Sequence, residues 1–176
     1  INSSQFEAER QYRSAIISRL LYFEMTDSVP ESRKITARVS KQRQDVLEPP
    51  VTEFVVASLY WLIGYEHLWI SRLVTAGFWV TGGLFLFQLS RRLFSLVVAV
   101  CITAYYLLAP FGIVVSISFV PDPLMMMLFL LSLLNIVQYY ERPSTTSLVK
   151  AAVVSGLAIL VKPVCLFTVV AVFISL

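Results

Sequence analysis

The chain has 176 residues, of which 57% are hydrophobic and 14% charged, with a formal net charge of +3. Soluble domains carry about 25% charged residues and about 45–50% apolar ones, so this chain has too little charge to coat a water-soluble globule and is far too apolar to be disordered. A mean hydropathy of +0.76 makes it an integral membrane protein, and the scattering of its basic residues among acids and apolar boundaries, with no basic stripe, excludes a nucleic-acid partner.

Charge divides the chain. Residues 1–50 hold eight of the fourteen basic residues and seven of the eleven acidic ones; residues 51–176 hold six and four. Residues 1–47 are therefore expected to form an extramembrane loop, and residues 48–176 a transmembrane block of about four to six helices. The chain opens without Met and closes inside an apolar run, so a portion of a longer polytopic protein, cut at both ends, is expected.

From the N-terminus, Glu7–Glu24 lacks Gly and Pro, and Ala15, Ile16, Leu20 and Phe23 recur at helical spacing. This predicts an amphipathic helix lying at the membrane surface. Thr26–Gln44, with Pro30 and alternating charge, reads as a polar loop. Glu48-Pro49-Pro50 then opens an apolar helix over Val51–Ile63. Proline suits a first helical position because its missing N–H would be unpaired there anyway. An acid at the positive helix N-terminus gains roughly 0.3–1 kcal/mol. Gly64 is the stop. Thirteen residues are short for a span unless it is extended.

His67–Leu89 is 23 residues long and fits a span, with Arg72 near its start and a basic turn at Ser90-Arg91-Arg92 after it. Leu93–Leu108 follows, extendable through Val115 if Pro110 only kinks it. Ser116–Pro123 breaks the run with two prolines and Asp122. Leu124–Tyr139 is the next apolar helix, ended by paired tyrosines of an interfacial belt. Leu148–Val161 and Val164–Leu176 are split by Lys162-Pro163 and read as one broken helix or two. There is no internal repeat. Cys101 and Cys165 sit in apolar runs as small hydrophobes and form no metal spacing or disulfide framework.

The basic turns at Arg91-Arg92 and at Arg142 with Lys150 share one side, which the positive-inside rule makes cytoplasmic. Alternation puts Asp122 and residues 1–50 on the outer side, although that segment carries eight basic residues of its own.

Ionisable groups at membrane depth are costly and mark candidate sites. Asp122 is either a helix cap or a site acid; Lys162 and Arg72 either snorkel to the headgroups or bind an anion; Glu48 is a cap or a site acid. His67, beside Trp69, reads as an interfacial residue. Glu7 and Arg10 are three apart and share a helical face, either as a solvated ion pair or as part of a site. No His/Cys metal cluster, nucleophile elbow, P-loop or dinucleotide turn is present.

The order of these features resembles the polytopic glycosyltransferases of the C type, which use polyprenyl-phosphate sugars and include the protein O-mannosyltransferases and the lipid A aminoarabinose transferase. The residues that carry the likeness are Glu7-Ala8-Glu9-Arg10 opening a surface helix, then Glu48-Pro49-Pro50. Next come Arg72 in "ISRLVTAGFWVTGGLFLFQLSRRLF", "LLAPFG", "FVPDPLMMMLFLLSLLN" and "SGLAILVKP". The likeness runs from about Glu7 to Lys162; each motif is short, and their order carries the specificity.

The resemblance implies an all-α bundle of transmembrane helices with an amphipathic surface helix in its first extracytoplasmic loop. It implies an enzyme of the inner or plasma membrane, or of the endoplasmic reticulum in a eukaryote, with its site on the extracytoplasmic side. A sugar would pass from a polyprenyl-phosphate donor to a hydroxyl on a lipid, glycan or protein. By position, Glu7 stands where the family has its catalytic Asp, with Glu9 as the alternative base. Arg10, Lys162 and Arg72 would hold the donor phosphate, and Glu48 and Asp122 would line the site and position the acceptor or a metal. The chain departs from the pattern in having Glu at the base position and Pro49 directly after Glu48. Arg13 also stands where another branch has its acid. No cofactor is specified; carboxylates and water would suit Mg²⁺ or Mn²⁺, but no ligand set closes in the sequence. The rival readings are a membrane transporter, suggested by the break at Lys162-Pro163, and a non-catalytic membrane subunit.

Overall fold

A computed structural model describes residues 3–27, 29–42 and 48–175, with side chains from Ala8 onward. Among the described residues the chain is all-helical. Its nine helices are α1 (Ser3–Glu24), α2 (Glu31–Gln42), α3 (Val51–Ile63), α4 (Leu68–Leu93), α5 (Leu96–Leu108), α6 (Pro110–Ile117), α7 (Asp122–Glu141), α8 (Thr145–Val161) and α9 (Cys165–Ser175).

The breaks follow from local chemistry. Gly64 ends α3 with φ of 87°, a left-handed conformation that costs glycine nothing, and its N–H bonds the Tyr60 carbonyl. Arg91 and Arg92 fill the last turn of α4, where cations complement the helix dipole. Ala109 is extended because it precedes Pro110, and α5 and α6 meet at a bend of 57°. Ser144 caps α8 by accepting the Ser147 N–H. Lys162, extended and followed by Pro163, ends it.

Two expectations are corrected. The basic turn expected at Ser90-Arg91-Arg92 lies inside α4, which continues to Leu93. The segment read as a polar loop over Thr26–Gln44 contains helix α2. Its alternating charges conceal the local reason. Pro30 precedes the first turn, no Gly or Pro follows through Gln42, and Ala37 gives a small buried contact against α1. Arg38 reaches both Glu24 of α1 and Glu31 of its own first turn. The two helices form a hairpin.

Two groups of helices result. In the first, α1, α2 and α3 share a core of Leu20, Tyr22, Phe23, Ala37, Val56, Ala57 and Tyr60, extended by Ile70 and Phe119. Arg19 binds Glu66, and the Tyr22 hydroxyl donates to the Gly64 carbonyl, fixing α1 against the α3–α4 turn. In the second, α4 and α7 are long and apolar enough to cross a membrane, and the bent pair α5–α6 passes the same test only when taken as one span; α8 and α9, like α3 of the first group, are shorter apolar helices. Arg92 at the end of α4 pairs with Glu141 at the end of α7, so these two run parallel, packed directly on each other, and α5–α6 carries the chain back along α4. Gly82 and Gly83 allow the close approach: a Cβ on them would stand 3.0 Å from the Tyr106 hydroxyl and 2.9 Å from Leu107. Small residues at helix contacts are how apolar spans pack in lipid. Ser132 of α7 and Ser155 of α8, both buried, share a hydrogen bond of 2.6 Å. Outward, Tyr105, Leu108, Phe111, Phe167 and Ile174 are exposed, a surface suited to hydrocarbon rather than water.

Candidate functional site

The N-terminus of α7 is the centre of the site. Pro121 and Pro123 bracket Asp122 and fix it at the first position of the helix, where a carboxylate is favoured by the dipole. Asp122 Oδ2 accepts from Arg10 of α1 at 2.5 Å, and its Oδ1 accepts from Lys162 Nζ at 2.7 Å. Lys162 is the residue at which α8 stops, so the helix break presents its ammonium to Asp122. The same Nζ lies 3.7 Å from Glu48 Oε1, just before α3. One turn earlier in the chain than Asp122, Ser118 accepts from Gln11 at 3.4 Å.

Two acids and two bases from four separate stretches thus meet at one end of the spans. Their side chains are about three-quarters covered, at 22–28% relative exposure, so water screens them only in part. Beside them lies a cavity of about 280 Å³ lined by Arg10, Trp79, Phe111, Val115, Asp122 and Met125, among others. Its wall is mostly apolar, and Arg10 and Asp122, with Gln11 and Ser118, form its polar end. Trp79 is stacked on Tyr106, with ring centroids 4.2 Å apart and planes at 11°. Gly112 leaves room for that indole, since a Cβ there would approach Trp79 to 3.1 Å.

Of the residues singled out in the sequence, Arg10, Glu48, Asp122 and Lys162 come together. Arg72 does not join them: it is exposed near the start of α4 and makes no ion pair among the described residues. Glu9 is exposed on α1 beside Arg10. Glu7 lies one turn before Arg10 on α1, and its side chain lies outside the described residues. His67 precedes α4, edge-on to Tyr65. No group of three or more His, Cys, Asp or Glu side chains gathers as a metal site among the described residues.

Sequence reasoning missed the contacts made by uncharged or single polar groups: Gln11 with Ser118, and Ser14 with Glu53 at 2.6 Å. Glu53 carried a signal, being the sole acid inside an otherwise apolar helix.

The structure is a bundle of membrane helices with an acid and two cations gathered beside a mostly apolar cavity, and the family match makes it a glycosyltransferase of the C type. The chain belongs to the dolichyl-phosphate-mannose-protein mannosyltransferase family, whose model matches residues 47–176. The matched stretch includes Glu48, Asp122 and Lys162 and begins after α1 and α2. At the level of the family the activity is glycosyl transfer from a dolichyl-phosphate sugar, by an integral membrane protein. No curated protein and no solved structure matches the chain.

Proposed function

We propose that the chain transfers a sugar from a polyprenyl-phosphate donor to a hydroxyl acceptor on a lipid, glycan or protein, at the end of the spans where Asp122 lies, on the extracytoplasmic side. The observation that carries this reading is the gathering of Arg10 and Lys162 on Asp122 beside a mostly apolar cavity. An isoprenoid phosphate needs both: hydrocarbon wall for the chain and cations for the head.

In the transfer, a carboxylate of α1, Glu7 or Glu9, takes the proton of the acceptor hydroxyl, an assistance worth typically about 10²–10⁴-fold. The acceptor oxygen bonds to the anomeric carbon of the sugar. The bond from that carbon to the phosphate oxygen breaks, and its electron pair leaves with the polyprenyl phosphate. Negative charge grows on that oxygen in the transition state, so preformed cations stabilise it most there. Arg10 offers a planar fork of donors and Lys162 a point charge. Asp122 keeps the two cations, which would otherwise repel each other, at one place before the phosphate arrives. Glu48, on the far side of Lys162, orients the acceptor.

The experiment is a transfer assay on the full-length protein in lipid nanodiscs, with dolichyl-phosphate mannose and with other polyprenyl-phosphate sugars, reading the polyprenyl phosphate released. Release that falls in Lys162→Met and in Arg10→Ala supports the reading. No consumption of any lipid-phosphate sugar, or full activity in both variants, overturns it.

A further inference from the structure

We infer that Glu53 is a positioning residue for the transfer site: it holds α1, through Ser14, at the rotation and depth where Arg10 and Gln11 meet the start of α7. The inference rests on the glycosyl-transfer reading above.

Glu53 and Ser14 are buried, at 6% and 4% relative exposure, and the Ser14 hydroxyl donates to Glu53 Oε1 at 2.6 Å. Ser14 lies one helical turn after Arg10 and three residues after Gln11, so the three side chains leave α1 on neighbouring strips of one face. Each meets a different partner: Arg10 meets Asp122, Gln11 meets Ser118 and Ser14 meets Glu53. Helix α3 closes the circuit, because Glu48 just before it contacts Lys162, which in turn binds Asp122. The polar contacts run from α3 through Lys162, Asp122 and Arg10 into α1, and return to α3 through Ser14 and Glu53.

Ile17, Val56 and Ala57 are buried close by along the two helices, together with Ser18 and Thr52. Apolar contact is non-directional and leaves a helix free to rotate by a few degrees. A hydrogen bond has a narrow range of length and angle and removes that freedom. The local sequence also frees Glu53 for the task. It is the third residue of α3, where an acid ordinarily turns back to the N–H of the capping residue. The capping residue here is Pro50, which has no N–H. The carboxyl reaches across to α1 instead.

The test uses the full-length protein in nanodiscs. Glu53→Gln keeps an oxygen that accepts from Ser14, and its kcat and donor KM stay near the native values. Glu53→Leu and Ser14→Ala break the contact. In both, kcat/KM for the donor falls about tenfold to a hundredfold, the scale expected when a reacting group is misplaced by an ångström. The loss does not multiply with that of Arg10→Ala, because it acts through Arg10.

A second readout needs no activity. With Cys101 and Cys165 replaced by Ala, the pair Gln11→Cys and Ser118→Cys is joined by a short bifunctional thiol crosslinker. Adding Glu53→Leu or Ser14→Ala lowers the yield; adding Glu53→Gln does not. Equal yields in all four backgrounds, or losses that multiply with Arg10→Ala, overturn the inference. A native protein that transfers no lipid-phosphate sugar overturns the functional reading alone, and the crosslinking yield then decides Glu53.

Discussion

Lys162 and Asp122, 40 residues apart in the chain, meet with Nζ 2.7 Å from Oδ1 where α8 stops and α7 begins. The contact exists because both helices break at proline: Pro163 ends one, and Pro121 with Pro123 opens the other. Replacing Lys162 by Met removes the ammonium from Asp122 and from Glu48 together. A hydrogen bond to a charged group is worth about 1.5–3 kcal/mol, so kcat/KM for the donor is expected to fall at least tenfold. Arg10 stays on Asp122 in this variant, so the carboxylate keeps one cation and the thermal midpoint falls by less than the activity. A transfer assay beside a melting curve separates the two effects, and equal activity with a lowered midpoint would remove Lys162 from the site.

Ser132 and Ser155 predict a sign pattern rather than a size. Replacing either one by Ala strands a buried hydroxyl and is expected to cost about 0.6–1 kcal/mol, the scale of polar pairs between helices in lipid. Replacing both leaves two methyl groups in contact and costs less than the two single changes added. Unfolding in detergent of the two single variants and the double variant gives the coupling directly, and additive costs would deny the pair any role.

Gly112 and Gly156 are expected to respond in opposite directions to the same added methyl. At Gly112 the new Cβ would stand 2.7 Å from the Tyr106 carbonyl oxygen and 3.1 Å from the Trp79 ring. Overpacking of that kind costs about 1–3 kcal/mol, and the displaced indole narrows the cavity and raises the donor KM. At Gly156, within α8, nothing lies within 4 Å of the new atom, and Gly156→Ala is expected to stabilise by about 0.4–1 kcal/mol. Thermal midpoints of the two variants decide it.

The helix breaks were legible in the sequence because they are local. Gly64, Pro110 and Lys162-Pro163 each stop a helix at the expected residue, and those stops depend only on one residue's backbone and its neighbours. Helix α2 was not legible. Its charge alternation mimics a solvated loop, and what makes it a helix against α1 is the burial of Ala37 and the reach of Arg38 to Glu24. The site was legible as a set of suspects. Charge in an apolar chain picked out Arg10, Glu48, Asp122 and Lys162, because lipid penalises it. Their meeting was not legible, since Arg10 and Asp122 are 112 residues apart and no periodicity spans that distance. Arg72 carried the same signal and stays outside the cluster, exposed near the start of α4. Glu53 was not legible as a site residue, because its partner Ser14 lies 39 residues away on another helix.

Helix α7 is clasped at both ends, by Arg10 and Lys162 on Asp122 and by Arg92 on Glu141. Its 20 residues at about 1.5 Å each make a rod of about 30 Å, the depth of a bilayer's hydrocarbon. A rod of fixed length tied to charges at both water boundaries acts as a gauge of the sheet it crosses. A thinner membrane must tilt the rod or pucker around it, and either response bears on the ion pairs at its ends, the one at Asp122 among them. The lipid that surrounds this protein is thereby coupled to the place where its cations wait.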